Sequence, residues 1–210
     1  MSFTLYVDKQ WISPYAFTAF VALEEKGVAY DIKTVSIGDQ EQRSGSYLTI
    51  SLTARIPALV HDGVGLAESS AIAEYIDEVC EGPRLFPEDV RERARARQVM
   101  SWLRSDLPAL REERPTTTMF YERATRPLSA RAELSARKLI EVTEALITRD
   151  DQLTIGSTWS IADADLGFAL HRLILNDHAV PSRVQRYAKA QWGRPSVMKF
   201  VSMERPPLSA

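Results

Sequence analysis

Three short stretches near the start of the chain combine residue types suited to gripping a small, peptide-like ligand. In the first, Trp11-Ile12-Ser13-Pro14-Tyr15, a strand-like pattern gives way to a helical one. Pro14 suits the first helical turn, where its missing N–H would have no partner. Ser13 then precedes the helix, its hydroxyl beside unpaired backbone N–H groups and the positive end of the helix dipole. A hydroxyl so placed can take part in chemistry, and it can equally be a plain helix cap. In the second stretch, Arg55-Ile56-Pro57-Ala58-Leu59, proline enters a strand, which is permitted only at a strand start or a sheet edge. A cis bond before Pro57 would turn the N–H and C=O of Ile56 outward, free to pair with an extended peptide. Most X–Pro bonds are trans, so the sequence leaves both isomers open. In the third, Glu68-Ser69-Ser70 lies where a strand becomes a helix. Unpaired N–H groups there can hold a carboxylate, and Glu68 can pair with an ammonium group. Both ends of an amino-acid head group would then be gripped, although Ser69 or Ser70 could also simply cap the helix.

Periodicity supplies the secondary structure around these residues. Residues 4–8, rich in aromatic and β-branched types, read as a strand, and Ala16, Ala19, Phe20 and Leu23 recur at helical spacing up to the stop at Gly27. A second strand is expected over 30–37. A polar, weakly patterned link follows, with at most a short helix near 43–48. The turn sequence Asp62-Gly63 between 57–61 and 65–67 reads as a hairpin. Ile72, Tyr75, Ile76 and Val79 mark the next helix. The order is βαβ, an irregular link, then ββα.

Residues 81–87, with two prolines and a glycine, are the best linker in the chain. Beyond it only helical patterns occur. One helix carries Val99, Trp102, Leu103, Leu107 and Leu110, with Pro108 expected to bend it. Leu139, Val142 and Leu146 mark a second, and Leu166, Ala169, Leu170 and Leu173 a third. Shorter helices are expected over 182–191 and 195–203, followed by a loose tail at 205–208. The two halves differ in composition, which divides the chain into a first domain at 1–80, the linker, and an all-helical domain at 88–210.

The joint spacing of Ser13, Arg55-Ile56-Pro57 and Glu68-Ser69-Ser70-Ala71-Ile72 in this order of elements resembles the glutathione transferases over nearly the whole chain. Trp159-Ser160-Ile161-Ala162-Asp163 looks like that family's capping box, in which Ser160 and Asp163 satisfy each other's backbone N–H groups. Within the family, the stretches 68–76, 93–106 and 111–115 look similar to the bacterial YfcF-like subgroup. The resemblance implies a thioredoxin-like N-terminal domain (βαβ-α-ββα) followed by an α-helical C-terminal domain. It implies a serine-type site in which Ser13 donates a hydrogen bond to the glutathione sulfur. Ile56 would pair with the cysteinyl unit beside a cis Pro57, and Glu68 and Ser69 would hold the γ-glutamyl end. Gln40 and Arg55 would reach the glycyl end. The second domain would wall a pocket for the other substrate, with Trp102, Arg104, Asp106, Arg111 and Phe120, and with Tyr15 from the first domain. Tyrosine supplies the hydroxyl in other branches, which brings Tyr6 and Tyr15 into view, although Tyr15 lies inside the helix. A homodimer is also implied.

The implied chemistry follows from thiol acidity. A free thiol has a pKa near 8.5, and only its thiolate is a good nucleophile. Each unit of lowering needs about 1.4 kcal/mol of preference for the anion, and a charge-assisted hydrogen bond contributes about 1.5–3 kcal/mol. Ser13 and the helix dipole could therefore lower the pKa by about one to two units. The expected function is attack of glutathione on electrophiles or reduction of organic hydroperoxides. The same fold also serves glutathione-dependent isomerases and lyases, and could be kept as a non-catalytic dimerising module.

Composition bounds the alternatives. Lys and Arg total 26 against 28 acidic residues, with 45% hydrophobic and 26% charged residues, as in an ordinary soluble protein. Neither nucleic acid nor an anionic membrane is favoured, and Arg91, Arg93, Arg95 and Arg97 read as a solvated helix face. No apolar stretch approaches a membrane span and the start lacks a leader pattern, so cytoplasm is the expected compartment. Cys80, the single cysteine, is remote from Ser13 in sequence and has no partner for redox chemistry. His61, His171 and His178 are scattered without metal-ligand spacing, so no metal is expected. There is no Gly-x-Ser-x-Gly turn to support a hydrolase.

Overall fold

Strand β1 (Phe3–Asp8) buries Phe3, Leu5 and Val7 on one face, the alternation of a half-covered strand. Helix α1 (Pro14–Lys26) follows and is buried along Ala16 to Leu23, so it lies within the core rather than on it. It ends at Gly27, whose left-handed φ of 64° lets its N–H close on the Glu24 carbonyl. β2 (Tyr30–Val35) runs parallel to β1, with Phe3 opposite Tyr30 and Asp8 opposite Val35. It stops two residues short of the expected end because the Ser36 N–H turns to the Glu41 carboxylate at 2.7 Å. A single 3-10 turn (Glu41–Arg43) and α2 (Gly45–Leu48) occupy the polar link. The hairpin of β3 (Ala58–His61) and β4 (Val64–Ala67) closes around Asp62-Gly63, and α3 (Ser69–Val79) completes the order. The sheet runs β2-β1-β3-β4, with β3 antiparallel to both neighbours.

In the computed structural model, which describes residues 2–208, the chain divides into two compact units. One holds the residues up to Leu85 together with those from Pro195 onward; the other is Phe86–Arg194. The second unit contains α4 (Val90–Ser105), α5 (Pro108–Glu113), α6 (Thr117–Phe120), α7 (Ala130–Leu146), α8 (Ile161–Ile174) and α9 (Ser182–Trp192). Pro108 ends the expected long helix rather than bending it. Helical geometry is disfavoured just before a proline, and Leu107 takes a left-handed φ of 62° before Pro108 restarts the chain as α5. Helix α8 is buried almost all round, and the expected box between Ser160 and Asp163 is closed at its start. Asp163 also accepts from Ile155 N–H (2.7 Å) and Tyr187 hydroxyl (2.9 Å), tying the preceding loop and α9 to α8.

The last helix is α10 (Pro195–Val201). It clusters with the first unit, where Phe200 meets the rings of Trp11, Phe17 and Phe20 at 5.7, 5.3 and 5.5 Å. Burial of this aromatic group outweighs sequence distance. The tail expected to be loose is anchored by Arg205, which donates to the carbonyls of Trp11, Phe200, Val201 and Met203.

Two further contacts fix the first unit. Lys26 Nζ lies 2.8 Å from Asp77 Oδ1 with both side chains nearly out of solvent, joining α1 to α3. Gly65 on β4 approaches the backbone after α2 so closely that a Cβ would stand 2.3 Å from the Ile50 carbonyl oxygen. That contact holds the 50–55 segment against the hairpin. Among the described residues no helix is long and apolar enough to cross a membrane.

Candidate functional site

The three stretches singled out in the sequence meet at one end of the sheet, and strand register alone brings them there. Tyr6, near the end of β1, pairs with Ala58 at the start of β3, and Ala58 pairs with Ala67 at the end of β4. Ser13 therefore leaves this end, Ile56-Pro57 enters it, and Glu68 leaves it again. Val35 at the end of β2 pairs with Asp8, so Gln40 and Arg55 flank the same end. Helices α1 and α3 pack together and both begin here, and their positive dipole ends share the same ground.

Ser13 is half-buried and caps α1. Its Oγ accepts the N–H groups of Tyr15 (3.3 Å) and Ala16 (3.2 Å). Among the described residues no acceptor takes its own proton, so the polarised O–H is left to donate. The turn before it is held by Asp8, a carboxylate that belongs to no recognisable motif. Its oxygens accept Ile12 N–H at 2.8 Å and Ser13 N–H at 3.1 Å. Burial pushes the Asp8 carboxyl above its usual range, opposed by those two donors and by the charge of Arg205.

The Ile56–Pro57 peptide is cis. Pro57 is buried, whereas Ile56 is half-buried beside Val35, Tyr47 and Ala58. The carbonyl of Arg55 accepts from Tyr47 (2.8 Å) and Ser51 (3.0 Å), and Ser51 Oγ accepts the Arg55 N–H at 3.1 Å. These bonds lock the approach to Ile56, and burial raises the Tyr47 hydroxyl to about 12, keeping it a donor. The Arg55 side chain is exposed, as is Gln40, which has a φ of 57°.

At the start of α3 the alternative of a serine cap does not form. Glu68 occupies the cap position with φ 71° and ψ 111°, and its side chain makes no capping bond. Ser69 is the first helical residue and is buried, while the Glu68 carboxylate stands exposed. The Glu68 carboxylate is thus not spent on capping the first turn of α3 and stands beside it as an exposed negative charge. An amino acid carries the complementary pair, carboxylate and ammonium.

The remaining candidates fall into other settings. Tyr15 lies in the first turn of α1 and lends Ser13 its N–H. Tyr6 points to the sheet face under α2, where it meets Tyr47 edge-on at 5.8 Å and lines an open cleft of about 430 Å³ with Lys33, Val35 and Glu41. In the second unit, Trp102 Nε1 donates to Asp106 at 2.9 Å, and the hydrogen bond from Lys138 holds the Asp106 carboxyl down at about 2. Arg104 pairs with Asp165 at 2.8 Å, and Arg111 donates to the Arg104 carbonyl at 3.0 Å. Phe120 stacks on Trp192 beside Phe168. These five side chains are thus tied into the helices of their own unit. Cys80 ends α3, opposite the end that carries Glu68, and burial pushes its thiol up. Among the described residues no group of three His, Cys, Asp or Glu side chains is placed to hold a metal ion.

Comparison with known proteins bears on this arrangement. Residues 12–79 match the glutathione S-transferase N-terminal domain family and residues 89–205 the C-terminal domain family. A 95-residue stretch is 42% identical to glutathione S-transferase U10 of Arabidopsis thaliana, covering 44% of this chain and 40% of that protein. A 102-residue stretch is 32% identical to a probable maleylacetoacetate isomerase 2 of Drosophila melanogaster, covering 48% and 45%. The matched stretches span less than half the length of these curated relatives. Among solved structures, a glutathione transferase homologue from Burkholderia with bound glutathione superposes with a TM-score of 0.79 at 39% identity, covering 96% of this chain and 97% of that one. A maleylacetoacetate isomerase from Methylobacterium extorquens with bound malonate and GSH gives 0.70 at 25% identity, covering 99% and 100%.

Proposed function

The chain belongs to the glutathione S-transferase family, and from that premise we propose that it binds glutathione at the strand ends of the first unit and ionises the thiol with Ser13. The observation that carries the proposal is the Ser13 hydroxyl, which accepts two helix N–H groups and keeps its own proton to donate. A donor polarised in this way favours a thiolate over a thiol. Ile56 offers its backbone to the cysteinyl unit. Glu68 takes the γ-glutamyl ammonium, and the first turn of α3 at Ser69 takes the carboxylate. Gln40 and Arg55 serve the glycyl end. The thiolate then attacks an electrophile or reduces an organic hydroperoxide. The working protein is a cytoplasmic homodimer.

Calorimetric titration with glutathione, together with the ultraviolet band of bound thiolate, tests this on the wild type and Ser13→Ala. The expected result is binding in both, with the band at neutral pH largely lost in the variant. Absence of binding to the wild type would overturn the enzyme reading. Binding with an unchanged band would move the role to Tyr15, Tyr6 or backbone N–H groups.

A second reading, a glutathione-dependent isomerase that returns the thiol unchanged, is supported by the maleylacetoacetate isomerases among the relatives. Isomerisation of maleylacetoacetate without consumption of glutathione would favour it.

A further inference from the structure

Residues 9–13, which deliver Ser13 to the head of α1, form no strand or helix of their own. Trp11 within them takes a left-handed φ of 55°, a conformation that a bulky side chain rarely adopts without external support. Two charged side chains hold this turn, one at the end of β1 and one in the segment after α10. Asp8 is 1% exposed and gathers the N–H groups of Ile12 and Ser13 from within. Arg205, in the segment after α10, clasps it from the other side: its Nε donates to the Trp11 carbonyl at 3.1 Å. Its Nη1 atom donates to Val201 (3.1 Å) and Met203 (2.7 Å), and its Nη2 atom to Phe200 (3.1 Å), so the guanidinium is itself fixed by four carbonyls. The same group lies over the Phe200 ring at 5.9 Å, and that ring packs on Trp11.

We propose that Arg205, acting with Asp8, is a positioning residue for Ser13, so that the segment after α10 sets the aim of the hydroxyl used on the glutathione sulfur. The proposal rests on the reading of Ser13 given above. A planar guanidinium with donors in a fixed fork suits the task, because it can satisfy several carbonyls at once where an ammonium cannot keep the same geometry. A hydroxyl displaced by a fraction of an ångström loses much of its bond to the sulfur, yet the grip at Glu68 and Ser69 lies on a different strand–helix junction and is left intact. The signature is therefore a split: thiolate formation suffers and glutathione binding does not.

The experiment is a pH titration of the thiolate band of bound glutathione in wild type, Ser13→Ala, Arg205→Met and Arg205→Lys, with KM and kcat measured alongside. Methionine keeps an unbranched apolar stem over Phe200 and removes the fork. The expected result for Arg205→Met is a bound-thiol pKa about one unit higher, hence thiolate and kcat lower by up to about tenfold, with KM for glutathione within about twofold. Arg205→Lys is expected to shift in the same direction by less. If the methionine variant does not fold, Arg205→Lys and Asp8→Asn carry the test, since each acts on the same turn. An unchanged thiol pKa in the folded Arg205 and Asp8 variants, with Ser13→Ala still raising it, would overturn the positioning role alone. An unchanged pKa in Ser13→Ala would overturn the reading of Ser13 and the positioning role with it. A rise in KM for glutathione equal to the loss in kcat/KM would identify a merely structural effect and also overturn the proposal.

Discussion

One hydroxyl at Ser13 serves two ends, capping α1 as an acceptor and remaining available as a donor. The two uses separate on mutation. Ser13→Ala is expected to cost about 1 kcal/mol of stability through the lost cap and to lower kcat by about 10- to 100-fold through the lost donor. Ser13→Thr should retain most of both; denaturant unfolding and steady-state kinetics read the two effects. Glu68→Gln should do the reverse at the other junction, raising KM for glutathione by about tenfold or more with little change in kcat, because it removes a charge from the grip and not from the sulfur. Ser13 and Glu68 were legible because each stands where a strand pattern changes to a helical one. The manner of capping at α3 was not, since Ser69 and Ser70 are better caps by type and only the backbone at Glu68 decides between them. Asp8 and Arg205 carried no local signal. Asp8 bonds N–H groups only four and five residues ahead but belongs to no recognisable motif, and Arg205, in a proline-rich tail, acquires its role only through its contact with Trp11 far along the chain.

Helices and strands set these residues through a few contacts whose removal has a calculable sign. Lys26→Met leaves Asp77 buried without its closest cation, because Arg84 stands 3.6 Å away on a half-exposed side chain. A loss of about 3–5 kcal/mol is expected, and Lys26→Met/Asp77→Asn should recover part of it, since no charge is then left buried. Urea unfolding of the two variants measures both numbers. Gly65→Ala should cost about 1–3 kcal/mol, because the new Cβ meets backbone at Ile50 rather than a side chain that can swing away. The same variant should weaken glutathione binding, as the displaced segment leads directly into Arg55 and Ile56. Periodicity revealed α1, α3, α7 and α8, and Asp62-Gly63 revealed the hairpin, because each rests on local preference. The break at Leu107 and the seating of α10 against α1 were missed. The first depends on how a proline is accommodated and the second on rings of Trp11, Phe17 and Phe20 that attract Phe200 from the far end of the sequence.

For the molecule as a whole, stability against pH is shaped by two buried groups of the second unit that work in opposite senses. Burial lowers His171 to about 4 from 6.5, so the fold favours its neutral form. Its contribution is complete above about 6.5 and is lost as pH falls towards 4, amounting to about 3 kcal/mol. Burial raises Asp163 to about 6 from 3.8, so the fold favours its protonated form, and its contribution is lost as pH rises from about 4 to 6. Over that shared window the two trends offset each other. His171→Phe keeps a ring against Trp192 but removes one trend, so it should gain stability relative to wild type as pH falls from 6.5 to 4; urea midpoints across that range check it. The proposed function rests on the ionisation of one bound thiol. The most direct measurement is the pH titration of the thiolate band of glutathione bound to the wild-type protein and to Ser13→Ala. A wild-type midpoint about one to two units below the free thiol is expected, with the variant midpoint close to that of the free thiol. Equal midpoints in the two proteins would overturn the role of Ser13.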